Sequence, residues 1–407
     1  MNYSNHLLGD IATTHRGLAV PRARVSIDNE IPYLHYGDIY KIYDNYFDVE
    51  KLKDSVIKIN SDEKIKDYQY LHTGDIVINL TSENYEDLGK SIYIKNDNSM
   101  LVSGMETIII RFNSELFDPL FLNYYFDTNY FYNDIMQYVR GMKVFRVNPK
   151  DLLRAKLPEI PKDHQIQIAS FIKSLDDKIE LNNKINKNLE EIAQALYKQW
   201  FVDFEFPNKN GEPYKSSGGE MVESELGLIP KGWEVKELGE ILDIKYGKNY
   251  PTKNLLDEGF PVFGGNGVIG YSERYIYKEP HTLVACRGAA SGKVQVSLPK
   301  SFVTNNSLVL LHNDKLNYAY LKELSIYREY YDFVTGSAQP QITIASISKC
   351  KIILPKYNVQ EMFAKVINNT YFRILNNYLE FNKLTNLRDT LLPKLMSGEI
   401  EVPIKEG

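Results

Sequence analysis

Residues 168–189 read IASFIKSLDDKIELNNKINKNL, and residues 363–384 read FAKVINNTYFRILNNYLEFNKL. Continued to Trp200, the first stretch places Ile168, Ile172, Leu175, Ile179, Asn182, Asn186, Leu189, Ala193, Leu196 and Trp200 at alternating steps of four and three. A 3.5-residue period keeps one face of a helix against a partner. The second stretch carries Phe363, Ile367, Thr370, Ile374, Asn377, Phe381, Leu384, Arg388, Leu391 and Leu395, each 195 residues beyond its counterpart. One inserted residue would rotate a helix face by about 100°. A constant offset therefore marks one element used twice. Asparagines at the core positions 182, 186 and 377 cost stability and fix register. Each copy could pair with another chain, or the two could be unrelated surface helices. Meeting antiparallel within one chain, they would give approximate two-fold symmetry.

Outward from the helices, the chain divides into a globular segment at 1–160, a helix at 161–206, a polar linker at 207–232, a second globular segment at 233–357 and a second helix with tail at 358–407. Asp163, after Pro161, is the expected N-cap of the first helix. Short strand-like runs fall at Val56–Asn60, Asp75–Leu80, Ser91–Ile94 and Thr107–Phe112, and Phe117–Tyr138 reads as helix. The second segment repeats the first. LGDI at 8–11 matches LGEI at 238–241, Gly17 matches Gly247, Pro32 matches Pro261, and Gly89-Lys90 matches Gly292-Lys293. Met105-Glu-Thr corresponds to Asn305-Asn-Ser, and Gly141 and Arg146 match Gly336 and Gln341 at the helix offset. Offsets drift within the modules because loops lengthen cheaply. The expected fold is α+β, with two similar modules each followed by a long helix and the helices paired as an antiparallel coiled coil of pseudo-two-fold symmetry.

Composition excludes several classes. Only Cys286 and Cys350 occur, without a CxxC pattern, so a disulfide framework is ruled out and each reads as a buried thiol. The N-terminal stretch lacks a signal-peptide apolar core and no run suits a membrane span, so a cytoplasmic location is expected. The net charge of -5 is uneven. Residues 1–162 hold 19 Lys/Arg against 23 Asp/Glu, whereas residues 231–356 hold 16 against 12. Salt screens repulsion beyond about 8–10 Å, so a local basic face can still meet an anion. The acidic first half implies weak binding alone, with a partner supplying some contacts.

No catalytic constellation emerges. The seven histidines form no HExxH or other compact ligand spacing. Walker, GxSxG and Rossmann patterns are missing, as are methyltransferase and endonuclease signatures. Gly264-Gly-Asn-Gly-Val-Ile-Gly-Tyr271 lacks the P-loop Lys-Ser/Thr pair, so it reads as a tight turn that brings backbone close to a ligand. No metal or cofactor is expected in this chain.

The doubled, ordered set of motifs resembles the specificity subunit of type I restriction–modification systems. It includes Gly232-Trp233, the 264–271 turn, VACRGAASGKV at 284–294, Gly336-Ser-Ala-Gln-Pro-Gln-Ile342 and Leu391-Leu-Pro-Lys-Leu-Met-Ser-Gly-Glu-Ile400. In the first half it includes residues 160–169 and Ala195-Leu-Tyr-Lys-Gln-Trp-Phe-Val-Asp-Phe204. The resemblance implies two target-recognition domains, each reading half of a bipartite asymmetric site in double-stranded DNA. It implies helices that space the domains and seat two modification (methyltransferase) subunits. S-adenosylmethionine would belong to those partners, and ATP and Mg2+ to restriction/translocase subunits. The first module departs from the pattern, with Leu34-His-Tyr-Gly-Asp-Ile39 in place of the GGNG turn, so its target should differ. Cations suit phosphates, and Arg, Asn or Gln suit base edges. The candidate contacts are Lys143 and Arg146 in the first module, and Asn266, Arg274, Arg287, Lys293, Gln339 and Gln341 in the second. A coiled-coil scaffold without base reading, and a related system whose partner fuses methyltransferase and nuclease, are the rival readings.

Overall fold

The computed structural model describes residues 3–41, 45–54, 56–97, 99–336 and 338–402. The chain forms two compact units, Met1–Leu181 with Phe381–Gly407, and Asn182–Glu380. Among the described residues no helix is long and apolar enough to cross a membrane.

The first unit is built on a five-stranded sheet. Its order is Ala12–Arg16, Thr107–Phe112, Ile76–Asn79, Ser91–Lys95 and Tyr46–Asp48, the last pairing in parallel and the others antiparallel. The run Thr107–Phe112 is rich in β-branched residues because both its faces are covered. Ile76, Ile78, Ile108 and Ile110 face one core with Phe121 and Phe131, while Val77, Ile92, Ile94 and Ile109 face another with Phe47. The segment expected as one helix from Phe117 is two, Pro119–Phe126 and Asn129–Met136. Asp118 caps the first by accepting from Phe121 N at 2.8 Å, and Thr128 caps the second.

The second unit carries a four-stranded antiparallel sheet, Asp243–Tyr246, Ser307–Leu311, Thr282–Ala285 and Val294–Val296. Val284, Leu308 and Leu310 join a core with the helix Tyr318–Arg328, and Leu283 and Val309 join one with Phe263 and Val303. Cys286 and Cys350 are buried free thiols, and burial pushes Cys350 up to about 11.

The long helices run over Lys162–Tyr197 and Tyr357–Met396. In the first unit Ile168, Ile172 and Leu175 pack with Leu392, Leu395 and Met396, and Arg388 Nη1 donates to Asp176 Oδ1 at 2.9 Å. In the second unit Asn182 Nδ2 donates to Glu380 Oε2 at 2.9 Å, and Asn377 Nδ2 to Asn186 Oδ1 at 2.9 Å. Further along, Trp200 and Phe201 lie against Phe363, with ring centroids 5.7 and 5.1 Å away. Within each unit rising numbers on one helix meet falling numbers on the other, so the helices contact antiparallel. The core asparagines are satisfied by these bonds, which removes most of the penalty of burying them.

Buried glutamines join modules to helices in the same way in both units. Gln165 Oε1 accepts from Asp118 N and its Nε2 donates to Ile160 O, each at 2.8 Å. Gln360, 195 residues later, accepts from Asn317 N at 2.8 Å and donates to Pro355 O at 2.9 Å.

Two expectations need correction. The first long helix begins at Lys162, with Gln165 N bonding to Pro161 O, so Asp163 lies in the first turn rather than at the cap. A carboxylate there still suits the positive end of the helix dipole. Residues 207–232 are not a bare linker. They contain the hairpin Met221–Ser224/Gly227–Pro230, and Phe206 stacks between Tyr214 and Trp233 at 4.6 and 5.0 Å. A composition reading missed this because the packed residues are isolated aromatics among polar neighbours.

Candidate nucleic-acid interface

Each unit gathers loops at one end of its main sheet, where a Gly-Lys hairpin meets a turn of five residues between its closing pair. In the first unit Gly89 N donates to Asn79 O at 2.8 Å and Asn79 N to Lys90 O at 2.9 Å. In the second, Gly292 N donates to Ala285 O and Ala285 N to Lys293 O, both at 2.9 Å. The strand feeding each hairpin then receives the turn, through Val147 N to Leu80 O at 3.0 Å in one unit and Ile342 N to Cys286 O at 3.1 Å in the other.

The turns share one closure. Arg140 and Arg146 exchange two backbone hydrogen bonds of 2.9 and 2.8 Å, and Thr335 and Gln341 exchange two of 2.9 Å. Both turns start on a glycine of positive φ, Gly141 at +111° and Gly336 at +85°. A Cβ on Gly141 would stand 2.1 Å from Val144 O, and one on Gly336 2.7 Å from Gln339 O. Glycine is required at both places for its conformation and for the close approach of backbone.

In the second unit Lys293 Nζ donates to Asn266 Oδ1 at 2.8 Å, which ties the Gly-Lys hairpin to the turn joining strands Phe260–Gly264 and Gly267–Ser272. Arg287 lies opposite Gln341 in an antiparallel bridge, and Gly288 N donates to Pro340 O at 3.0 Å. The structure thus brings Asn266, Arg287, Lys293, Gln339 and Gln341 into one exposed cluster of donors and amides. Arg274 does not join it. It follows the far end of the 267–272 strand, with its guanidinium 5.9 Å over the Phe302 ring.

In the first unit Lys143 and Arg146 are exposed on the turn. Arg146 and Phe145 pair with Thr81 and Ser82, and Phe145 stacks on Tyr85 with centroids 3.8 Å apart. Where the second unit has its glycine turn, the first has the short helix Tyr36–Lys41, and the ring of His35 lies 4.2 Å from that of Tyr36. Burial lowers the pKa of His35, which favours the neutral ring, and its Nδ1 accepts from Gly37 N at 3.2 Å.

Sequence reasoning missed Arg140, Thr81 and Lys90. Arg140 stands where Thr335 does, Thr81 where Arg287 does, and Lys90 where Lys293 does. The helix offset of 195 pointed to Arg140. The match of Gly89-Lys90 to Gly292-Lys293 pointed to Lys90, and Thr81 could be found only after allowing the longer hairpin between Asn79 and Lys90.

Among the described residues no group of three or more His, Cys, Asp or Glu could hold a metal ion. The loop ends offer hydrogen-bond donors, amides and cations, which is the equipment of a protein that reads a polyanion. Comparison with known proteins agrees. Residues 2–191 and 230–385 match the type I restriction modification DNA specificity domain. The specificity subunit of the MjaIX type I restriction enzyme of Methanocaldococcus jannaschii is 30% identical over 274 residues, 62% of each chain. That of the HindI enzyme of Haemophilus influenzae is 26% identical over 404 residues, 80% of this chain and 86% of the relative. The crystal structure of the type I restriction–modification S subunit from M. genitalium shares the fold with a TM-score of 0.58, at 16% identity over 99% of this chain and 97% of that one. The chain belongs to the type I restriction–modification specificity family. Its role is DNA recognition, and it is a non-catalytic component.

Proposed function

We propose that the chain reads a bipartite, asymmetric sequence in double-stranded DNA, each unit taking one half, and directs adenine methylation and restriction by partner subunits. The observation that carries this reading is the pair of identically closed turns with different side chains on them. Arg140, Lys143 and Arg146 would serve one half-site, and Arg287, Gln339 and Gln341 the other. Lys90 and Lys293 suit phosphates, and Asn266 is oriented by Lys293. Arg274, apart from the cluster, suits a flanking phosphate at most. Two modification subunits would supply S-adenosylmethionine chemistry, and translocase–nuclease subunits ATP and Mg2+. The antiparallel helices act as a coiled-coil spacer, 36 residues of helix in the first copy amounting to about 54 Å.

Motif-resolved methylation mapping in cells with and without the chain tests this. A two-part methylated motif should vanish with the chain. Its persistence would exclude the reading. Inserting one heptad into each long helix should widen the gap between the half-sites and leave both half-site sequences unchanged.

A further inference from the structure

The two main sheets end differently. In the first unit Tyr46–Asp48 adds in parallel to the edge strand Ser91–Lys95, with Tyr93 N donating to Asn45 O at 3.0 Å. The Tyr46 ring stacks on Tyr93 at 5.4 Å, and the Lys173 ammonium lies 4.0 Å above it. Asp48 completes the seat through Lys95 at 3.6 Å.

The matching strand of the second unit, Val294–Val296, is an edge, and no strand covers it among the described residues. Ser297 N donates inward to His281 O at 2.9 Å, as Ile94 N does to Asp75 O at 2.9 Å. Strand alternation therefore turns the Val296 N–H outward, the direction in which Tyr93 meets Asn45. Beside this edge lies a cavity of about 770 Å³, bordered by Val296, Leu298, Val268, Phe372 and Tyr378. Phe372 is 64% exposed, far more than an apolar side chain on a closed surface needs to be. Gln295 Oε1 is buried there without a hydrogen-bond partner.

We propose that this edge and groove receive an extended segment of a partner protein, which pairs in parallel with Val294–Val296 and lays a large aromatic side chain over Val296. The inference rests on the chain working within a multisubunit complex. The first unit shows the seat filled from within, and it fixes what the missing strand must be. Val296 stands where Tyr93 does, so the incoming ring must fill more volume than Tyr46 fills. Leu298 stands where Lys95 does, so the acidic residue of the Tyr46–Asp48 strand has no counterpart. Glu190 and Glu323 outnumber Lys322 on the lining, so a basic residue beside the aromatic ring complements the groove. Strand addition takes affinity from main-chain bonds and selectivity from such side-chain pockets. An exposed edge also invites unwanted pairing unless a partner covers it.

The test compares the full chain alone with the same chain in its assembled complex, by hydrogen exchange over 294–298. Assembly should slow exchange at Val296 by about tenfold or more. A photo-crosslinking benzoylphenylalanine in place of Phe372 should trap one partner segment containing Phe, Tyr or Trp. Val296→Pro removes the outward N–H together with the valine side chain and is tolerated at a sheet edge. It should abolish the protection of the next outward amide, that of Val294, and Phe372→Glu on the exposed helix face should abolish that of Val296, with the circular dichroism of the chain unchanged. Unchanged exchange on assembly overturns the proposal, and so does a chain that dimerises alone through this edge and becomes monomeric with Val296→Pro. Loss of the two-part methylation motif is scored separately, so failure of target reading and failure of docking are distinguishable.

Discussion

The two units solve one packing problem with their charges exchanged. In the first, Tyr124 of the module donates to Asp176 of the long helix at 2.7 Å, and Arg388 neutralises that acid at 2.9 Å. In the second, the long helix supplies the phenol. Tyr371, 195 residues after Asp176, donates to Glu323 of the module at 2.5 Å, with Lys322 3.4 Å from the carboxylate. Burial, reinforced by the adjacent acid, pushes both hydroxyls well above the ordinary tyrosine range, so both remain donors. A second exchange lies on the sheets. Arg111 clamps the buried Asp75 through two bonds of 2.8 and 2.6 Å, whereas the second unit has His281 at the Asp75 position and Leu311 at that of Arg111. The comparison teaches that the repeat preserves a satisfied junction and leaves the residues that satisfy it free to trade places.

Breaking the strongest pair should separate the units most clearly. Arg111→Met leaves Asp75, only 3% exposed, without its cation, and should cost about 3–5 kcal/mol. Segment-resolved hydrogen exchange should show the loss in the first unit. The next effect in size is Glu323→Leu, which strands Lys322 and removes the acceptor of Tyr371 and Gln194. Urea unfolding followed by Trp200 and Trp233, both in the second unit, should fall by about 2–4 kcal/mol. Adding Lys322→Met should recover most of it. No recovery would mean that the carboxylate matters for shape rather than charge.

The recognition turns give a smaller and more selective contrast. Gly141→Ala forces a side chain onto Val144 O and should cost about 1–3 kcal/mol locally. Methylation mapping should show one half-site degraded, and Gly336→Ala should degrade the other. If both variants affect the same half-site, the assignment of one turn to each half is wrong. The mildest contrast is in pH. Burial, with His312 nearby, lowers His281 from 6.5 to about 4. Below about 6.5 the unfolded chain takes up a proton that the folded ring refuses. The stability from this site is therefore complete above that pH and declines as pH falls toward 4. Denaturation midpoints measured across this window should slope downward in acid, and His281→Asn should flatten the slope.

The helical half of this architecture was legible because a helix cannot absorb an insertion without turning its buried face away. The strand Thr107–Phe112 was legible at both ends because three consecutive isoleucines face two cores. The added strand Tyr46–Asp48 was not, since three residues carry no period and its pairing depends on Tyr93, far along the chain. At the site, the offset of 195 led to Arg146 and Gln341, while Arg274, three residues past the glycine-rich motif, was chosen for its charge. Nothing local in the sequence says that the strand 267–272 carries it away from the turn.

Both recognition turns are closed at the neck by paired peptide hydrogen bonds, Arg140 to Arg146 and Thr335 to Gln341. The exposed side chains at the tips, such as Lys143 and Gln339, are thus largely released from holding a shape to which one glycine in each turn, the Phe145–Tyr85 stack and the Thr335 hydroxyl also contribute. Such a device can acquire a new vocabulary by substitution at the tip while its grammar stays fixed, so a lineage can change the word it reads without having to fold anew.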